Sequence, residues 1–237
     1  MTRKIDKRIT GGNLVVVAVL IAAWQLQAQD VKSRYPSMAP LDQYLMTDRN
    51  AEIALARTAA PKSISADATV MALGPHGYET AVKGNNGFVC IVERAWMSPF
   101  DDPEFWNPKN RSPICYNPAA ARSVLQYTFK RTELVLAGLT KPQMLEQIKA
   151  AVAKNELPTP EPGAMSYMLS KESYLNDQVG HWHPHLMFHL PKTDGASWGA
   201  NLDGSPVVLD TRSVPEPETI FFVPVGKWSD GTAAPVM

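Results

Sequence analysis

The order of helix-like and strand-like segments constrains the fold of this chain more than any other feature. A first helix is predicted to begin at Asn117-Pro118, a capping residue followed by a first-turn proline, and to end at Gly138. Thr140-Lys141-Pro142-Gln143 fits a capping box that begins a second helix, which continues past Val152. Strand-like segments lie before and after this pair. That order predicts an α+β domain with a mostly antiparallel sheet, the central two-helix pair packed on one face, and long Pro-rich loops.

The segment before the helical pair predicts a three-strand antiparallel meander over residues 68–94. Gly74-Pro75-His76-Gly77 is a strong turn signal, and Gly84-Asn85-Asn86-Gly87 is typical of a hairpin turn because Asn and Gly tolerate positive φ. Residues 95–116 carry several prolines and tryptophans and are predicted to form a long loop. The remaining predicted elements are a helix at 47–59 and strands at 164–169, 186–190, 207–209 and 220–225.

The N-terminus predicts a secretory signal peptide. Four basic residues precede an apolar run from Leu14 to Trp24, and Ala28 stands at a suitable cleavage point. The run of eleven residues would extend about 16 Å as a helix, against about 30 Å of hydrocarbon in a bilayer, so cleavage is favoured over a retained anchor. We therefore expect residues 1–28 to be removed and residues 29–237 to form one exported domain, periplasmic or extracellular, without a stable membrane span.

The charge of this mature chain argues against a nucleic-acid partner. Cleavage removes four basic residues and one acid from a chain with 23 of each, which leaves a net charge near −3. No Lys/Arg-rich run remains after the signal, whereas nucleic-acid binders carry such runs to neutralise phosphates. The oligomeric state is not set by any of these features.

The two cysteines, Cys90 and Cys115, are predicted to form one disulfide. An exported protein with two cysteines and no more is first interpreted as carrying one bridge. The alternative is a catalytic thiol at one of them, although neither lies beside a histidine in sequence. A bridge would fasten the end of the 95–116 loop to the preceding strands.

Four of the five histidines lie within the nine residues from His181 to His189. If residues 185–190 form a strand, His185, Met187 and His189 share one face, and the apolar residues between them are expected to face the core. Imidazoles suit zinc and copper, and an added thioether favours reduced copper. The leading hypothesis is therefore a copper or zinc site built from this cluster. Its candidate ligands are His181, His183, His185, Met187, His189 and, from the Gly74–Gly77 turn, His76.

The metal hypothesis needs ligands from more than one segment. His185 and His189 would lie about 13 Å apart on a straight strand, too far to share one ion. His183 with His185 is the better pair, and we expect His76, Glu79 or Asp177 to complete it where this cluster meets the Gly74–Gly77 turn. Two alternatives need no metal: the histidines are partly buried and hydrogen-bonded to the backbone, or they carry out metal-free acid–base chemistry.

An enzyme is a further alternative, as a metal-assisted hydrolase that uses His183 and His185. The chain has no nucleophile elbow, zinc-protease helix, phosphate loop or dinucleotide fingerprint. Ser166 in Gly163-Ala164-Met165-Ser166-Tyr167 is the closest approach to a presented serine, and it lacks the second glycine.

Tryptophans in predicted loops give a third alternative, a cell-envelope or carbohydrate-binding module. Trp182, Trp198 and Trp228 would stack on a sugar ring or another small-molecule ligand if their faces were exposed in one plane. If they are buried around the histidines instead, they form a hydrophobic shell for that site.

Overall fold

The computed structural model describes residues 34–210 and 214–235. The predicted signal peptide and its cleavage point lie outside these residues. None of the helices within them is long and apolar enough to cross a membrane.

Eight strands form a single sheet in the order β2-β1-β3-β4-β5-β6-β8-β7. Every neighbouring pair is antiparallel except β1 and β3, which are parallel. The predicted mostly antiparallel α+β fold is therefore confirmed. The strands are β1 Thr69–Gly74, β2 Gly77–Val82, β3 Val89–Glu93, β4 Ser112–Tyr116, β5 Met165–Met168, β6 His185–Pro191, β7 Val208–Leu209 and β8 Glu218–Pro224.

The central helices lie on one face of the sheet, as predicted. The first is interrupted at residues 123–124, so that a short helix capped by Asn117 precedes a longer one. The second begins at the predicted capping box, where the Gln143 side chain accepts from the backbone N–H of Thr140 at 2.9 Å. The helices are α1 Arg49–Arg57, α2 Lys62–Ser65, α3 Pro118–Arg122, α4 Leu125–Leu136 and α5 Lys141–Ala153.

The opposite face of β1, β3 and β4 is covered by α1. Asp48 caps this helix by accepting from the N–H groups of Asn50 and Ala51, and Leu55 and Ala56 pack against the sheet. The sheet thus has a small core under α1 and a larger core under α3, α4 and α5.

The predicted meander is wrong in the pairing of its third strand. β1 and β2 form a hairpin, but β3 pairs in parallel with β1 on the other side of it. The link between β2 and β3 crosses the start of β1, where the backbone N–H of Asn85 donates to Asp67 O at 2.9 Å. A Cβ on Gly84 would lie 2.2 Å from Thr69 N. Glycine is used here for close approach to another backbone rather than for a hairpin turn.

The predicted loop over residues 95–116 is wrong at its C-terminal end. Its last five residues form β4, which pairs with β3 so that Cys90 lies directly opposite Cys115. The two cysteines form the predicted disulfide, with Cα atoms 4.0 Å apart, and both are buried under α1. Proline at position 113 obscured this strand in the sequence, since proline is usually excluded from central strands.

Candidate functional site

A cavity of about 1000 Å³ lies between α4 and the face of the sheet opposite α1. This volume is at the upper end of the range typical of small-molecule sites, roughly 300–1,000 Å³. The surface of its wall is mainly apolar, and acidic and basic side chains recur among the apolar ones. Those that matter for its chemistry are Glu93, Arg131, His185, His189, Glu216 and Glu218.

The histidine face of β6 forms part of this wall. His185, Met187 and His189 share one face, as the two-residue period of a strand predicted, and all three line the cavity. The expectation that the alternate, apolar residues face the core is wrong, because Met187 and His189 are the buried ones and Leu186, Phe188 and Leu190 are partly exposed. The reason is tertiary: α4 and its neighbouring loops close over the histidine side.

His185 is a neutral base with an available lone pair. Its Nδ1 lies 2.7 Å from the carbonyl oxygen of His183. A carbonyl only accepts, so Nδ1 carries the hydrogen and Nε2 is bare in the neutral ring. Burial lowers the pKa of His185, which opposes protonation of that nitrogen. The ring lies edge-on to Trp182 and Phe222, at 6.1 and 5.5 Å between centroids.

His189, in contrast, has both ring nitrogens engaged. Its Nε2 lies 3.0 Å from Ser166 Oγ and its Nδ1 lies 2.9 Å from Glu218 Oε2. Serine, histidine and carboxylate follow one another here in the order of a hydrolase triad. Ser166, however, is 0 % exposed and lies within β5, paired with β4 on one side and β6 on the other. A nucleophile is presented on an exposed turn, so this serine holds the His189 ring rather than attacking a substrate.

Glu93 is a buried carboxyl whose protonated form is favoured by burial. Its Oε1 accepts hydrogen bonds from the Tyr116 hydroxyl and, at 2.9 Å, from Thr128 Oγ1. Burial raises the pKa of Glu93 despite these two donors. Within the described part of the chain, no group is hydrogen-bonded to its Oε2, and Glu93 lines the cavity. A proton on Oε2 would therefore be available to a bound molecule.

Arg131 of α4 is hydrogen-bonded to other groups of the protein. Its Nε and Nη2 donate to the two carboxylate oxygens of Glu216, at 2.7 and 2.9 Å, and its Nη1 donates to the carbonyls of Trp96 and Ser98. The guanidinium also lies over the Phe100 ring, 4.6 Å from its centroid. This buried ion pair fixes α4 to the segment that precedes β8.

The other candidate metal ligands are not brought to this wall. His76 is exposed in the turn between β1 and β2, and β3, β4 and β5 lie between that hairpin and β6 in the sheet. His181 and His183 pack against Trp228, with ring centroids 5.8 and 6.5 Å apart. Over residues 34–210 and 214–235, no three His, Cys, Asp or Glu side chains are gathered as a metal-binding group. Metal binding stays a prediction, and the expected junction with the Gly74–Gly77 turn is wrong.

The two carboxylates proposed to complete a metal site have other partners. Glu79 on β2 faces Arg49 at 3.8 Å. Asp177 accepts from four donors, Arg34, Tyr35, Lys109 and Tyr174, which hold its pKa far below its usual range. These contacts fix the first described residues to the loop before β6.

The three candidate stacking tryptophans do not form one exposed plane. Trp182 and Trp228 are buried, and Trp198 is 38 % exposed with one face stacked on Phe221 at 4.6 Å. Trp182 lines the cavity beside His185, and Trp228 packs on His181 and His183. Two of the rings therefore pack around the histidine segment as a hydrophobic shell.

The buried acidic and basic residues that line the cavity beside the histidines were not predicted from the sequence. Arg131 offers one usable signal, because it follows Thr128 by three positions and so shares the buried stripe of its helix. A buried arginine on an apolar stripe needs a buried carboxylate. Glu93, Glu216 and Glu218 lie in or beside segments predicted as strands or loops and carry no comparable signal.

Comparison of the chain with models of known protein families, with curated proteins and with solved structures found no match.

Proposed function

We propose that this protein is an enzyme that binds a small organic molecule in the cavity and acts on it by general acid–base catalysis. The observation that supports this most is the presence of a bare imidazole nitrogen, His185 Nε2, and an unshared carboxyl oxygen, Glu93 Oε2, in the wall of one cavity. In the proposed reaction His185 accepts a proton from the bound molecule and Glu93 donates one to it.

Burial supports these roles by acting on the two groups in opposite senses. It disfavours the charged form of each, so it lowers the pKa of His185 and raises the pKa of Glu93. A base whose free form is favoured and an acid whose protonated form is favoured are the pair that general acid–base catalysis needs. His189, held by Ser166 and Glu218, acts as a fixed polar wall beside them.

Metal binding is a second candidate function, favoured by one observation. His185 Nε2 and the Met187 thioether belong to neighbouring positions on the same face of β6, a combination suited to copper in its reduced state. Elemental analysis of the protein and of His185→Ala tests it. Stoichiometric copper that is lost in the variant supports this function, and absence of metal from both removes it.

Export is part of the proposal, with residues 1–28 as a cleaved signal peptide. The buried disulfide between Cys90 and Cys115 supports an oxidising compartment. The intact mass of protein recovered from its native host tests this. A chain that begins at Gln29 is expected, and a chain that retains its first 28 residues contradicts cleavage.

The acid–base proposal is tested by turnover of a pooled compound library in D2O. Proton transfer produces deuterium uptake or a changed product mass, so the substrate need not be identified before the experiment. Wild type and His181→Asn, which alters an exposed histidine, are expected to give the same products. His185→Asn and Glu93→Gln are expected to lose at least about 100-fold in rate, the lower range for a general acid or base. Products formed equally by all four proteins contradict the assigned roles.

A further inference from the structure

The two buried arginines of the cavity wall, Arg131 and Arg94, are each paired with a carboxylate of the protein. Arg131 donates to Glu216 and to two backbone carbonyls. Arg94 is buried with Glu52 at 2.8 Å and donates to the carbonyls of Tyr44 and Val92. Lys192 lies at the exposed rim, 3.3 Å from Val214 O. A phosphate, sulfate or carboxylate beside these arginines would therefore compete with Glu216 and Glu52, and among the cations of the described wall only the exposed Lys192 has no carboxylate partner.

The same wall offers acceptors instead. Glu218 is only 7 % exposed, and its Oε2 is held by His189. Across the described residues, no donor is bonded to the other carboxylate oxygen, Glu218 Oε1, and Glu218 lines the cavity. His185 Nε2 is a second acceptor in the same wall. A carboxylate oxygen that faces the cavity without a protein donor can accept a hydrogen bond from a ligand, and a hydrogen bond to a charged group is stronger than one between neutral groups.

The apolar part of the wall suits a cation on an apolar stem. Tyr127, Trp182 and Phe222 line the cavity, and aromatic faces attract ammonium groups as well as hydrocarbon. The site therefore combines a carboxylate, a neutral imidazole acceptor and aromatic rings.

We propose that the molecule bound here is an organic ammonium, a protonated primary or secondary amine carried on an apolar or aromatic stem. This identification rests on the proposed function in one respect, that the cavity is the binding site. The ammonium donates to Glu218 Oε1, and its stem lies along the aromatic wall.

A series of three naphthalene ligands whose polar group is cationic, neutral or anionic tests this class. The probes are 2-naphthylmethylamine, 2-naphthylmethanol and 2-naphthoate, and calorimetry near pH 7 measures their affinities. The amine is expected to bind at least about tenfold more tightly than the alcohol, since a hydrogen bond to a buried charge exceeds a neutral one by about that factor. The naphthoate is expected to bind most weakly.

The variants then assign the preference to Glu218. Glu218→Gln is expected to reduce the amine's advantage over the alcohol to about threefold or less and to leave the alcohol's affinity nearly unchanged. Glu161→Gln removes an exposed carboxylate that pairs with Arg122 outside the cavity, and it is expected to change nothing. If Glu218→Gln does not fold, Glu218→Asp replaces it and must retain the preference for the amine.

The outcomes separate this inference from the proposed function. Equal or tighter binding of the alcohol or the naphthoate overturns the ammonium class and leaves the cavity as a binding site. An amine preference that Glu218→Gln does not change also overturns it. Binding of none of the three probes, together with no turnover from the pooled library, overturns the proposed function itself.

Discussion

Glu93 and His185 are brought towards the neutral form by one cause, removal from water, which acts on groups of opposite charge. Burial under α4 raises the pKa of Glu93, and burial of the ring beside Trp182 and Phe222 lowers the pKa of His185. The cavity can therefore hold an acid and a base together without an ion pair between them.

The protonation of Glu93 predicts a pH-dependent stability. Because its pKa is raised in the folded state, folding takes up a proton at this group. The stability that Glu93 contributes is complete below its ordinary pKa of 4.5 and is lost as pH rises towards the folded pKa. Urea unfolding of wild type and Glu93→Gln between about pH 4 and about pH 7 measures this. Wild type is expected to lose free energy of unfolding relative to the variant as pH rises, and a constant difference contradicts a raised pKa at Glu93.

Ser166 is predicted to matter through His189. Ser166→Ala removes the partner of a buried imidazole nitrogen, which is expected to cost about 1–3 kcal/mol of unfolding free energy. Ser173→Ala is the matched control, because Ser173 is also buried but its hydroxyl donates to a backbone carbonyl away from the histidines. Equal losses in the two variants, measured by urea unfolding, would mean that the Ser166–His189 bond has no special weight.

Part of the site could be predicted from the sequence. The two-residue period of a strand was enough to place His185, Met187 and His189 on one face. That both ring nitrogens of His189 are engaged could not be predicted, because their partners Ser166 and Glu218 lie 23 and 29 residues away along the chain. Burial of the histidine face could not be predicted either, because it depends on contact with α4, and the sequence of β6 alone does not indicate that contact.

At the scale of elements, β3 and β4 connect the disulfide to the site. Their side chains alternate, so Cys90 and Cys115 face α1 while Glu93 and Tyr116 face the cavity. The predicted span of the three strands, residues 68–94, agrees with the observed start of β1 at Thr69 and end of β3 at Glu93. The pairing of β3 was not predicted, because a glycine- and asparagine-rich link is more often a hairpin turn than a crossing.

The crossing predicts a strong effect at Gly84. In Gly84→Ala the new Cβ would meet backbone atoms of residues 67–69, the nearest of them 2.2 Å away, and backbone cannot move aside as a side chain can. We expect a loss of about 3 kcal/mol or more, the upper range for overpacking. Gly226→Ala is the control, since a Cβ there meets nothing within 4 Å, and it is expected to change stability by about 1 kcal/mol or less. A Gly84→Ala protein as stable as wild type contradicts the crossing.

At the scale of the whole molecule, the chain builds a sheet with different layers on its two faces. α1 and the disulfide stabilise one face, and α3, α4 and α5 enclose the larger core and the cavity on the other. The class of this fold was predictable, because strand-like and helix-like periods follow each other in a clear order. The order of the strands was not predictable. Neither the parallel pairing of β1 with β3 nor the strand β4, at the end of the predicted loop, is indicated by a local sequence pattern.

The disulfide predicts both a chemical and an energetic result. Denatured, unreduced protein is expected to show no reactive thiol, since both cysteines are paired. Cys90→Ala/Cys115→Ala releases a constraint across 25 residues and is expected to lose about 3–4 kcal/mol of unfolding free energy. Two reactive thiols in protein recovered from its native host would show that the bridge is absent there.

The most direct test of the central claim, that the cavity is the ligand site, is chemical-shift mapping of histidine rings and methionine methyl groups during a screen of small organic molecules. Compounds that bind are expected to shift His185 and Met187, which line the cavity, and to leave the exposed ring of His181 in place. Compounds that shift His181 and leave His185 and Met187 unchanged would contradict the claim and place the site elsewhere on the protein.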